Sequence, residues 1–334
     1  MSAIITVRGV AKTFRQPRRL PGMSGALRSL FSREFTEVRA VVDVSFAIAP
    51  GEAVGYLGPN GAGKSTMIKM LTGILVPSAG AISVLGREPH SQRMANAAEI
   101  GVVFGQRSQL WWDLPVRDSF ALHRHIYDIP ARRFADNLAF LTEMLAMTDY
   151  VDRPVRQLSL GQRMRAKIAM ALLHDPRILF LDESTIGLDV VAKDAVRKFL
   201  ARINRERGTT IILTTHDLQD IEEICPRLIM VDDGKLLFDG ELTRLRTTLG
   251  SRRRLTLEFA TDPGAITLAG ARLVSDEGAA KHFLLDREDT SILDVLTELG
   301  SGYALKDVAL HEPAIEEVIR TFYQNKPLQP AATP

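Results

Sequence analysis

Cysteine is almost absent. The single one, Cys225, has no partner in the chain, so the cross-linked scaffold of small secreted proteins is excluded. Long hydrophobic runs are missing as well. No apolar stretch approaches the roughly 18 residues needed to cross a bilayer, and segments such as 168–173 and 211–213 have only the length of buried core elements. Charge of one sign is also lacking. The chain has 42 Lys and Arg against 40 Asp and Glu, which leaves no basic footprint for nucleic acid, so none is expected as a partner. The start, Met1-Ser2-Ala3-Ile4-Ile5, has neither the basic opening nor the apolar run of a secretory signal. These absences lead us to expect a cytoplasmic protein whose connection to a membrane runs through a partner or a surface contact.

The 334 residues suit one large domain and a small one. Short β-branched runs at 4–7 and 41–48 read as strands, and the nearly all-apolar 53–57 reads as a strand covered on both faces. Helices are expected from 63 or 64 to 71, over 132–147, 163–173 and 190–204, with apolar strands at 178–181 and 211–213 between them. Such alternation points to an α/β fold with a mostly parallel sheet wrapped by helices. A boundary falls at 249–254. Strand-like 255–259 and 282–285, helix-like 292–299, a strand near 303–310 and a last helix opening at Glu312-Pro313 then form a small α+β domain. In that last helix Ile315, Val318, Ile319 and Phe322 fall on one stripe. The expected division is therefore 1–245, 250–325 and a Pro- and Ala-rich tail at 326–334. Within the first part lies a basic and apolar insertion at 15–37.

The chemistry begins with Gly58-Pro59-Asn60-Gly61-Ala62-Gly63-Lys64-Ser65-Thr66. It is a P-loop pattern that follows an apolar strand and opens a helix. Glycines let backbone N–H groups turn inward around phosphates, and the helix N-terminus adds positive potential. By chance the pattern arises in about one chain in a hundred of this length. Lys64 is expected to reach the β- and γ-phosphates of ATP and Ser65 to ligate Mg²⁺. The strand at 178–181 ends in Asp182 and Glu183. Asp182 is the candidate metal carboxylate, and Glu183 the candidate that orients or deprotonates the attacking water.

Leu158-Ser159-Leu160-Gly161-Gln162-Arg163, some twenty residues before the acidic strand, resembles the ABC signature, usually Leu-Ser-Gly-Gly-Gln. Further motifs fall in the order of that family. These are Phe14 near the start, Gln106 after 100–105, Asp189 in Gly187-Leu188-Asp189, and His216 closing 211–215. Over residues 1 to about 245 the chain thus resembles an ABC transporter ATP-binding subunit, a P-loop ATPase fold with an antiparallel β subdomain and a helical subdomain. The resemblance implies a head-to-tail dimer sandwiching two ATP molecules. In it Ser159 and Gly161 meet the γ-phosphate bound to the other copy, Gln162 of the same segment lies by the nucleotide, and Phe14 stacks on adenine. Asp189 lies by the nucleotide, His216 contacts the γ-phosphate, and Gln106 senses metal and water. It also implies a location on the cytoplasmic face of the cell membrane. Two departures stand out. Leu160 replaces a signature glycine, and Ser184 replaces the proline of the usual Asp-Glu-Pro-Thr.

Both tryptophans stand together in Trp111-Trp112-Asp113-Leu114-Pro115. They read either as a core cluster or as a docking surface for a membrane subunit. This stretch, the insertion at 15–37 and the segment 307–322 resemble features of ABC-2-type export ATPases, which implies ABC-2-type permease partners. An importer ATPase, or an ABC ATPase acting on ribosomes or DNA, is the alternative.

Overall fold

The computed structural model describes residues 2–17, 35–105, 108–185, 187–215, 217–248, 253–285, 292–299, 302–311, 318–320 and 322–323. They fall into two compact units, one reaching to Gly240 and the other beginning at Glu241.

The first unit opens with β1 (Ile5–Pro17), β2 (Phe35–Ile48) and β3 (Ala53–Leu57), followed by α1 (Lys64–Leu71), β4 (Ala79–Val84), α2 (Arg93–Ala97) and β5 (Ile100–Phe104). Helices α3 (Val116–Ile126), α4 (Ala131–Met144) and α5 (Leu160–Leu172) come next. They lead to β6 (Ile178–Asp182), α6 (Val190–Arg207), β7 (Thr210–Thr214), α7 (Leu218–Ile224), β8 (Arg227–Asp232) and β9 (Lys235–Glu241). One sheet has the order β5-β6-β7-β3-β8-β9, and its pairs from β5 through β8 are parallel. Every residue of β3, β6 and β7 is buried, as their unbroken apolar runs require for a sheet covered on both faces. Helix α1 buries Met67, Ile68, Met70 and Leu71 in this core.

A second sheet, β2-β1-β4, is antiparallel. Its hairpin is longer than the strands expected at 4–7 and 41–48, because pairing continues outward to Pro17 opposite Phe35. Cross-strand pairs of β-formers such as Phe14 with Val38 carry it, and Arg15 reaches Glu37 at 3.5 Å. The ends of the insertion are thus ladder rather than loop, while 18–34 lies outside the described residues.

Helices α3 and α5 are tied to β5 by a buried relay. His123 Nε2 lies 3.4 Å from His174 Nδ1, and His174 Nε2 lies 3.0 Å from Ile100 O. Tyr127 stacks on both imidazoles at 4.2 Å between ring centres. Burial lowers both histidines from 6.5 to about 4, with mutual repulsion adding to it at His123. The unfolded chain therefore takes up these protons first. The stabilisation is complete above about pH 6.5 and is lost as pH falls toward 4, at up to about 1.4 kcal/mol per pH unit per proton. His123→Phe, which keeps a ring against Tyr127, is expected to flatten that slope by about one proton in denaturation curves across this range. An unchanged slope would contradict the relay.

The second unit contains α8 (Leu242–Thr248), β10 (Arg254–Phe259), β11 (Ala271–Glu277), β12 (Ala280–Leu285), α9 (Ile292–Leu299) and β13 (Leu305–His311). Its antiparallel sheet has the order β11-β12-β10-β13. Alternate residues Leu255, Leu257, Phe259, Phe283 and Leu285 pack with Val295 and Leu299 of α9 into a separate core. Val318, Ile319 and Phe322 are buried as the stripe requires. Ile315 and the start of that helix lie outside the described residues.

Candidate functional site

The carboxyl ends of the parallel strands gather the P-loop and the acidic residues. Gly58 leaves β3 so close to β8 that a Cβ there would lie 2.4 Å from Val231 O. Gly61 and Gly63 take left-handed φ values of 86° and 95°, and a Cβ on Gly63 would lie 2.2 Å from Ala40 O. Only glycine fits such a cradle. Lys64 starts α1, buried, and its ammonium donates to Gly58 O at 2.6 Å and Pro59 O at 3.0 Å. Desolvation lowers its pKa, against the pull of Glu183 and Asp182.

Asp182 is buried at the end of β6. Its Oδ1 accepts from Thr214 Oγ1 at 2.6 Å and from Ser65 Oγ at 3.4 Å. A hydroxyl and a carboxylate meeting at the end of the cradle form the hard oxygen set that suits Mg²⁺ beside phosphate. Glu183 follows with φ 55°, a left-handed value that costs a residue with a Cβ about 1–2 kcal/mol. Its N–H is fixed on Thr214 O at 2.9 Å. The end of β5 presses against it, since a Cβ on Gly105 would lie 2.6 Å from Glu183 O. Gln106 and His216 lie outside the described residues.

Phe14 sits opposite Val38, two residues along β2 from Ala40, whose carbonyl borders Gly63. The Lys12 ammonium lies 5.3 Å from the centre of the Phe14 ring.

The signature segment is built elsewhere. Ser159 caps α5, with Ser159 Oγ accepting from the Gln162 N–H at 3.2 Å and Gln162 Oε1 accepting from the Ser159 N–H at 2.9 Å. Gln162 is therefore committed to this capping box. Asp189 likewise caps α6, accepting from the Ala192 N–H at 2.8 Å. The two capped ends abut: a Cβ on Gly161 would lie 3.4 Å from Ala192 Cβ. Leu160, 45% exposed, covers Gly187, and Val190 and Val191 are exposed beside it. Among the described residues no hydrogen bond or ion pair joins this segment to the loop at 58–66. Further along α5, Lys167 donates to Phe104 O at 3.1 Å and Gly105 O at 2.8 Å, which ties the signature helix to the strand end before position 106.

Trp111 and Trp112 are 55% and 53% exposed, which excludes the core-cluster reading. The Arg163 guanidinium lies 5.3 Å from the centre of the Trp112 ring, and the Trp111 N–H donates to Ser119 Oγ at 3.1 Å.

Reasoning from the sequence missed Thr214, Lys167, and the buried group Thr185, Thr215, Asp220 and Arg197. Thr185 falls in the 182–185 motif, which gives no hint of its partner Asp220, and no local motif marks the others.

Known proteins similar to this chain belong to one family. The ABC transporter family profile matches residues 41–186. The chain is 35% identical to the ABC transporter ATP-binding protein NatA of Bacillus subtilis, over 64% of this chain and 88% of that one. It is 31% identical to the daunorubicin resistance ATP-binding protein DrrA3 of Streptomyces coeruleorubidus, over 86% and 92%. It is also 31% identical to the methionine import ATP-binding protein MetN 2 of Bacillus licheniformis, over 88% and 82%. A solved ATP-binding subunit of an ABC transporter shares the fold, with a TM-score of 0.62 at 23% identity over 74% of this chain and 93% of that one.

Proposed function

The chain belongs to the ABC transporter ATP-binding proteins and is an ATPase of that family, and from this premise we propose that two copies clasp ATP between them and drive export through separate membrane-spanning subunits of ABC-2 type. The observation that carries the pairing is the separation of the two anion-ready elements. Among the described residues the cradle at 58–66 and the capped signature helix share no hydrogen bond or ion pair. The capped N-terminus of that helix suits an anion, and in this reading the anion is held by another copy.

In this reading Lys64 exchanges the Gly58 and Pro59 carbonyls for phosphate oxygens. Phe14 stacks on adenine, and Ser159 and Gly161 of the second copy meet the γ-phosphate. Ser65 and Asp182 would hold Mg²⁺, which when bound supplies positive charge against that of the phosphates. Glu183 orients the attacking water and accepts its proton. Gln106 and His216 complete the site. DrrA3 and the importer MetN 2 are equally similar to this chain at 31% identity, and export is favoured over import by the hairpin insertion and by the exposed Trp111-Trp112 pair. The protein would then work on the cytoplasmic face of the membrane, where no described helix is long and apolar enough to span.

Tagged protein extracted from its own host's membranes in mild detergent is expected to bring an integral membrane protein with it. Recovery without one would contradict the transporter role. Alanine at both Trp111 and Trp112 is expected to weaken that association by about 30-fold or more, as for an aromatic anchor, with ATPase of the isolated chain within about twofold. Unchanged co-isolation would remove the tryptophans from docking.

A further inference from the structure

Behind the acidic strand end lies a closed polar network centred on Asp220, a residue outside every motif described above. Asp220, on α7, has no exposed surface. Its Oδ2 accepts from Thr185 Oγ1 at 2.5 Å and from Thr215 Oγ1 at 2.9 Å, and its Oδ1 accepts from Arg197 Nε at 2.6 Å. The three donors come from three segments. Thr185 is two residues past Glu183. Thr215 immediately precedes position 216, and its Oγ1 also accepts from the Asp217 N–H at 3.0 Å. Arg197 stands on α6, two turns from the capped N-terminus that adjoins the signature. Arg197 also reaches Asp217 Oδ2 at 3.2 Å, where Lys193 joins it at 2.6 Å.

We propose that Asp220 is a positioning residue for hydrolysis: one buried carboxylate, neutralised by Arg197, holds the segment that follows Glu183 and the strand end at Thr215 in fixed register. The physical grounds are the chain's own strain and burial. Glu183 is kept at φ 55°, and a residue in that region persists only where its surroundings over-determine it. The Thr185 anchor supplies such a constraint on one side, and the bond from the Glu183 N–H to Thr214 O supplies it on the other. Ser184 between them is fully buried, and its Oγ has no hydrogen-bond partner among the described residues. That side chain therefore adds nothing polar to hold the turn, and the task falls to Thr185. Because Arg197 rides on α6, the same carboxylate also links the α6 helix to both segments.

This inference rests on the proposed roles of Glu183 and His216, so Glu183→Gln is assayed alongside. Thr185→Val keeps the volume and leaves Asp220 with Thr215 and Arg197 as donors. It is expected to lower kcat by about 10-fold to 100-fold, the cost of a misplaced group, while KM for MgATP and the ATP-induced rise in melting temperature stay unchanged. A second variant, Arg197→Met with Asp220→Leu, replaces the buried ion pair by apolar groups, an exchange that often leaves stability intact. It is expected to fold and bind ATP yet remain slow. Wild-type kcat in Thr185→Val, or in a stably folded double variant, would overturn the proposal while Glu183→Gln stays inactive. Full turnover in Glu183→Gln would instead overturn the reading of the site on which both stand.

Discussion

Glu183→Gln is expected to bind MgATP as the parent protein does and to hydrolyse it about 10²–10⁴-fold more slowly, the range over which a general base contributes. The amide keeps the size and the hydrogen-bonding reach of the carboxylate but cannot accept a proton. Its surroundings argue that the effect falls on turnover and not on the fold. The backbone at 183 is held by the N–H bond to Thr214 O and by the close approach of Gly105, neither of which involves the side chain. Steady-state phosphate release and nucleotide binding, measured on the same preparation, separate the two quantities. Wild-type turnover would remove Glu183 from the chemistry.

Lys64→Ala is expected to fail one step earlier. The ammonium is buried at the start of α1 and donates to two loop carbonyls, so its hydrogens are already aimed into the cradle. Truncating one partner of such a desolvated charge pair costs about 2–5 kcal/mol, or roughly 30-fold to several thousand-fold in affinity for ATP. Burial penalises this charge in the free protein, which is the direction of its pKa shift. The ligand-free variant should therefore melt close to the parent protein. The rise in melting temperature on adding MgATP should vanish at concentrations that saturate the parent, because stabilisation by a ligand scales with the logarithm of its concentration over Kd. Retained affinity would place the phosphates elsewhere.

How far these residues could be read from the chain depended on how local their cause was. The P-loop was legible because a few contiguous residues carry it, and Gly63 must be glycine for the reason its pattern implies. The signature cap was legible because Ser159 and Gln162 satisfy each other across one turn. The buried strands β3, β6 and β7 showed as unbroken apolar runs. The alternation of Leu255, Leu257 and Phe259 gave the second unit's sheet. By contrast, β4 was missed because its first residues are exposed and small, and its pairing with β1 supplies what its composition does not. The outer half of the long hairpin was not legible as strand, only as a basic and apolar insertion, because the first residues of β2 are exposed and lack an alternating pattern of burial. Asp220 and Arg197 stand 23 residues apart on different helices, so only packing brings them together. The tryptophan pair could be core or surface by composition alone, and exposure decides for surface.

The claim on which everything turns is that nucleotide is held between two copies of this chain. Light scattering on size-fractionated Glu183→Gln protein tests it most directly, because slow hydrolysis keeps MgATP in place during the measurement. The expected result is a particle of about twice the 36.9 kDa chain mass with MgATP and of single mass without it, and the larger particle should disappear when Ser159→Arg is added to block the signature helix. A single mass with saturating MgATP bound would contradict the account.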